Sequence, residues 1–154
     1  MAGKIDARLA ELGLTVPEAA APVANYVAYV QTGSLLFVSG QIALGPDGPV
    51  KGHLGGELSV EEGKAAAKLC GLNLIAQAKA ACGGDLDRVK RVVKLSGFVA
   101  STPDFTEHPA VVNGASDLMA EVFGEAGRHS RAAVGVAALP LGVAVDVEAI
   151  FELA

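Results

Sequence analysis

Arg131 opens the segment SRAAVGVAALPLGVAVDVE, and the next charged side chain, Asp146, comes fifteen positions later. Everything between them is Ala, Val, Gly, Leu or Pro. A guanidinium among apolar residues needs a partner, because an unpaired buried charge is costly. Its planar fork suits a carboxylate held by two parallel hydrogen bonds. That carboxylate belongs either to a ligand or to an internal acid such as Asp146 or Glu148. In an alternating strand Asp146 and Glu148 fall on one face, where they can activate water by general acid–base chemistry. The same pair also fits the solvated face of an edge strand. Tyr26 and Asn113 offer a phenol and an amide that could orient a small ligand, although both are ordinary in a strand and a helix. Ser39-Gly40 either brings backbone close to a ligand or makes a bulge.

Other chemistries find little in the chain. His53, His108 and His129 lie far apart, and no H-E-x-x-H or paired C-x-x-C occurs, so metal catalysis lacks support. No phosphate-cradling glycine motif is present, and neither VSGQ nor LSGF fits G-x-S-x-G. Any catalysis falls to arginine, carboxylate, backbone groups and water.

The elements that must position these groups can be read from periodicity. Residues 4–13 form a short amphipathic helix, and residues 15–24 an extended connector. YVAYV and SLLFVSGQI make a hairpin joined by Gln31-Thr32-Gly33. Residues 45–56 are a Gly/Pro loop with room for a short strand. Ser59 with Glu62 forms a capping box that starts a helix to Ala81, ended by Gly83-Gly84. DRVKRVVKLSGFVAS reads as a strand in which Gly97 marks a bulge or a close approach. A second long helix is predicted over 104–124, and two strands over 130–137 and 143–153. This order predicts one α+β domain with two long helices on one sheet face.

Composition narrows the classes further. The chain has 154 residues, 51% hydrophobic and 19% charged, with a formal net charge of −5. Charged residues fall below the roughly 25% of typical domains, which hints at apolar surface hidden between subunits. The acidic balance argues against nucleic acid, and Arg88, Lys90, Arg91 and Lys94 read as a solvated rim at a strand start. No apolar run reaches the roughly 18 residues of a membrane span, and no signal sequence is recognised, so a cytoplasmic protein is expected. Cys70 and Cys82 share one helix, roughly 18 Å apart, and cannot pair there.

Four stretches carry a resemblance: YV…LLFVSGQIAL, GGDLDRVKRVVKLSGFVAS, DFTEHPAVVNGASDLMAEVFGE and SRAAVGVAALPLGVAVDVEAI. Over about residues 22–152 the chain resembles the RidA (YjgF) family of imine and enamine deaminases, also labelled endoribonuclease L-PSP. Residues 1–21 look like an extension relative to shorter members. The resemblance implies a chorismate-mutase-like α+β fold and a homotrimer with ligand clefts between subunits. It implies cofactor-free hydrolysis of imines such as 2-iminopropanoate, which arises from 2-aminoacrylate, to a 2-keto acid and ammonia. Arg131 matches the family's carboxylate-binding arginine, and Tyr26, Ser39, Gly40 and Asn113 match cleft-lining positions. Glu148, beside Asp146, is counted with the substrate-binding candidates.

Three positions depart from the family's pattern. Asp146 stands where the family has a water-positioning glutamate; it is one methylene shorter, and roughly 1 Å of misplacement can cost about 10²-fold in rate. Ala133 replaces a common cysteine, and His129 a common proline. These departures favour binding of a small carboxylate over efficient deamination of the usual substrate. The function the resemblance implies is deamination of a small carboxylate-bearing imine, with a muconate-like enamine as a variant substrate. The alternatives are non-catalytic binding of 2-keto acids and, third, an RNA-directed activity.

Overall fold

The computed structural model describes residues 3–22 and 24–154. A short helix α1 (Lys4–Glu11) precedes strands β1 (Tyr29–Thr32) and β2 (Leu35–Ile42) and a small hairpin of β3 (Leu44–Gly45) and β4 (Gly48–Pro49). Helix α2 (Val60–Ala81), strand β5 (Val89–Ala100), helix α3 (His108–Phe123) and strands β6 (Ser130–Val136) and β7 (Val145–Leu153) follow. The main sheet has the order β1-β2-β7-β5-β6; β5 and β6 run parallel and the other neighbours antiparallel. Both long helices pack on one side of it, as the element order predicts. No helix among the described residues is long and apolar enough to cross a membrane.

Local chemistry explains the elements that hold the site. Ser59 Oγ accepts from Glu62 N at 3.2 Å while Ser59 N donates to Glu62 Oε1 at 3.0 Å, so the capping box starts α2 as predicted. In β7 the residues Val145, Val147, Ala149, Phe151 and Leu153 are buried beneath α2. Burying each large apolar side chain contributes roughly 1.5–3 kcal/mol. Their neighbours Asp146, Glu148 and Ile150 turn to the opposite, helix-free face. At Gly97 an added Cβ would lie 2.6 Å from Val112, so this glycine serves close approach of α3 to the sheet. The irregular pairings of β5 fall instead between Val89 and Arg91 and between Val92 and Lys94.

Three expectations need correction. The hairpin turns at Gly33-Ser34, with Thr32 paired to Leu35, because Gly33 takes φ 59°, a left-handed conformation cheap only for glycine. Strand β1 accordingly begins at Tyr29, leaving Tyr26 in a bend outside the sheet. Helix α3 starts at His108 rather than 104: Pro109 is tolerated only in a first turn. Residues before it close a turn in which Phe105 N donates to Thr102 O at 3.2 Å. Finally, β7 is the central strand and not an edge; on its open face Glu148 is exposed and Asp146 half-buried.

Candidate functional site

The sequence-predicted residues fall into two groups. The first lies where edge strand β6 meets α3. Arg131 is paired in register with Leu95, which is buried under the helices, so its side chain lies on the helix side of the sheet. Arg131 Nη1 donates to Asn113 Oδ1 at 2.7 Å and to Ser116 Oγ at 3.2 Å. Both partners are neutral. Among the described residues no acid lies within ion-pair distance of Arg131, so the expected internal bridge to Asp146 or Glu148 does not form. Arg131 is also exposed rather than enclosed by apolar neighbours, because β6 is an edge strand. A tethered guanidinium with no acid beside it has the chemistry to hold an anion through its unused N–H groups.

The second group lies on the helix-free face. Asp146 is opposite Phe98 and Ile42, and Glu148 is opposite Ser96. Strand β2 bulges between Val38 and Gln41, which puts the backbone of Gly40 against the Asp146 carboxyl. A Cβ on Gly40 would lie 2.6 Å from Asp146 Oδ1. Ser39 holds the incoming loop, donating from Oγ to Val27 O at 2.8 Å and from N to Ala28 O at 2.9 Å. Ser39-Gly40 is thus the bulge, and the group its backbone approaches is the Asp146 carboxyl. Tyr26 sits in the bend just before Val27, 49% exposed. On the same face Glu148, not Asp146, lines a groove of about 400 Å³ together with Phe37, Ser39, Lys94, Ser96 and Ile150.

Electrostatics set Asp146 apart. Its Oδ1 is enclosed and lacks a hydrogen-bond partner. Burial, with a smaller contribution from the Glu148 carboxylate, raises its pKa above the ordinary aspartate range against the pull of the Val147 amide. The nearby Cys70 thiol is pushed well up, chiefly by burial and then by the Asp146 charge, and its Sγ lies 3.4 Å from Val145 O. Cys70 and Cys82 are both buried free thiols. No group of three or more His, Cys, Asp or Glu among the described residues is arranged to hold a metal.

Within one chain, then, Arg131 and Asn113 come together, as do Ser39, Gly40, Asp146 and Glu148, but the two groups occupy opposite faces of the sheet. A family described as "YjgF/chorismate_mutase-like, putative endoribonuclease" matches residues 6–153. The chain belongs to the YjgF family. It is 56% identical to the Trypanosoma cruzi protein TCP17, over 98% of this chain and 95% of that one. A crystal structure of an Agrobacterium tumefaciens protein of unknown function matches with 49% identity and a TM-score of 0.91, covering 97% of this chain and 92% of that chain. The structure of Escherichia coli TdcF with bound serine matches at 26% identity and TM-score 0.62, covering 89% and 94%.

Two members of the Arg131 group lay outside the sequence reading as site residues in this YjgF-family chain. Ser116 is three residues after Asn113 on α3, a spacing that shares one helix face. Its signal was available but looked like any helical serine. His129 stood out only as a replacement for proline; its role depends on the 3₁₀ turn Gly124–Gly127 that brings it to Ser116.

Proposed function

We propose that this YjgF-family protein hydrolyses small reactive imines and enamines that carry a carboxylate, giving a 2-keto acid and ammonia without a cofactor. The observation that carries the reading is Arg131, held by two neutral oxygens with no acid beside it, at a position matching the family's carboxylate anchor. Asp146 supplies the second half. For 2-iminopropanoate, a water held by Asp146 adds to the imine carbon and the C=N electron pair moves to nitrogen. Asp146 takes one proton from that water and passes a proton to nitrogen. The carbinolamine hydroxyl then gives its proton, through Asp146, to the amino nitrogen; the O–H electron pair forms the carbonyl as the C–N bond breaks and ammonia leaves. Burial that raises the pKa of Asp146 makes its carboxylate a stronger base than an ordinary aspartate, which favours taking the proton from water.

Because the two groups face opposite ways, the reading includes a homotrimer in which the β6 edge of one copy lies against the open face of the next. Support comes from that face itself, where Val30, Phe37 and Val134 are 52%, 41% and 46% exposed. Apolar surface of this kind marks interfaces. Tyr26, Ser39, Gly40 and Glu148 would then border the substrate, and a cytoplasmic, thiol-reducing setting suits the two free cysteines. TdcF holding serine, a small carboxylate-bearing molecule, fits the same ligand class.

The direct test is ammonia release from enzymatically generated 2-aminoacrylate by wild type and Arg131→Ala. Equal rates would remove Arg131 from the site, and no activity above background would remove this substrate. A second reading, binding of 2-keto acids without turnover, is favoured by the enclosed Asp146 Oδ1 and its short side chain. Calorimetry with a panel of 2-keto acids separates the two: binding without turnover supports the second reading, and robust turnover defeats it. The net charge of −5 gives an RNA-directed activity no comparable support.

A further inference from the structure

Two side chains beyond Asn113 converge behind Arg131. Ser116 Oγ lies 3.2 Å from Arg131 Nη1 and 2.9 Å from His129 Nε2. His129 Nδ1 in turn lies 2.6 Å from the carbonyl oxygen of Gly127. Donor and acceptor chemistry fixes the protons along this chain. A carbonyl oxygen can only accept, so Nδ1 carries hydrogen, and in the neutral ring Nε2 is then an acceptor. The Ser116 hydroxyl therefore donates to Nε2 and keeps a lone pair for Arg131. Asn113 Oδ1, at 2.7 Å, accepts the other Nη1 hydrogen.

Both hydrogens of Nη1 are thus held by neutral oxygens. The opposite Nε–Nη2 edge, free of partners among the described residues, is the edge that meets a carboxylate with two parallel bonds. The far end of the chain is anchored in packing. Gly127 is buried, and a Cβ there would collide with the Met119 carbonyl on α3. The relay runs from fixed backbone to an otherwise adaptable long side chain.

We propose that Ser116 and His129 are positioning residues for Arg131, locking one corner of its guanidinium so that the opposite edge is presented to a planar carboxylate. The inference rests on the reading of Arg131 as the substrate's carboxylate anchor. Neither residue touches the ligand; both act through the guanidinium. A hydroxyl at 116 and a hydrogen-bond acceptor at the His129 Nε2 position are what the device requires.

The test uses the full chain as wild type, Ser116→Ala, Ser116→Thr and His129→Ala, with two readouts. The first, without ligand, is the ¹⁵N signal of the Arg131 Nε–H group. It should be sharp in wild type and Ser116→Thr, and broadened with faster solvent exchange in the two alanine variants. The second is calorimetric binding of pyruvate and of its neutral analogue pyruvamide. Pyruvate affinity should fall about ten-fold in both alanine variants, as expected for weakening one charge-assisted contact. Pyruvamide binding should not change, and Ser116→Thr should restore pyruvate. An unaltered Arg131 signal with unaltered pyruvate affinity overturns the proposal. So does an equal loss for pyruvate and pyruvamide, which marks general loosening. If the Arg131 signal depends on Ser116 and His129 yet wild type binds no pyruvate, the positioning stands and the carboxylate reading of the site falls.

Discussion

The Arg131 corner and the Asp146 floor solve opposite electrostatic problems. At the corner the Arg131 guanidinium sits exposed on an edge strand and is steered by neutral oxygens from α3, with no acid beside it. On the floor a carboxyl is enclosed against Gly40 with one oxygen unpartnered, so its charged form is penalised. Steering a charge without neutralising it suits binding. Burying a carboxyl without satisfying it suits proton transfer, at some cost to the fold. The contrast assigns different kinetic signatures to the two regions.

The largest effect should come from the floor. Asp146→Asn keeps the shape and removes the proton acceptor, so kcat on 2-aminoacrylate-derived imine should drop about 10²–10⁴-fold. A pre-steady-state ammonia assay reads this directly, and an unchanged kcat would strip Asp146 of its role. At the corner, Arg131→Ala should cost roughly 10²-fold in kcat/KM, mostly through KM, as expected when a charged partner is truncated. A loss confined to kcat would reverse the assignment of binding to the corner and chemistry to the floor.

Much of this contrast was hidden in the sequence for identifiable reasons. The helix from Ser59 and the alternation of β7 were legible because capping and period-2 patterning are local signals. The face on which Arg131 lies was not. Its strand reads Ala132, Ala133, Val134, Gly135, small or apolar on both sides, so no alternation distinguishes helix side from open side. Only the parallel pairing of Arg131 with Leu95 settles it, and that pairing is non-local. The enclosure of Asp146 was equally unreadable. An acid alternating with valines looks solvated, and what closes over it is a glycine on a distant strand, brought there by a bulge. The residue types of the site were therefore visible before its geometry, and the geometry divides them between two faces.

That division predicts a recovery experiment of intermediate size. If each cleft takes Arg131 from one copy and Asp146 from the next, Arg131→Ala and Asp146→Asn proteins are each nearly inactive alone. Unfolding and refolding them together as an equal mixture should regain about a quarter of wild-type activity, the share of clefts that receive both intact groups in a closed ring. No recovery, with mixed assembly verified by mass spectrometry, would place both groups in a cleft made by a single copy or remove one of them from the site.

The smallest effect concerns stability, and its sign follows from the same enclosure. The native pKa of Asp146 is raised above its unfolded value, mainly by burial, so the native state binds this proton more tightly than the unfolded chain. As pH rises from the unfolded value near about 3.9 through the native pKa, the contribution of Asp146 to stability falls, because the carboxylate must then be held charged in the enclosure. Above the native pKa the penalty is constant. Asp146→Asn should therefore raise Tm slightly at pH 7, while the gain shrinks as pH falls through the native pKa and vanishes near the unfolded one. Arg131→Ala, on an exposed edge, should show no such pH-linked gain. Calorimetric Tm series for the two variants between pH 4 and 8 would separate floor from corner without any substrate. A gain for Asp146→Asn that grew toward acid pH would mean that the native fold stabilises the ionised carboxylate, and that the floor is no poised acid.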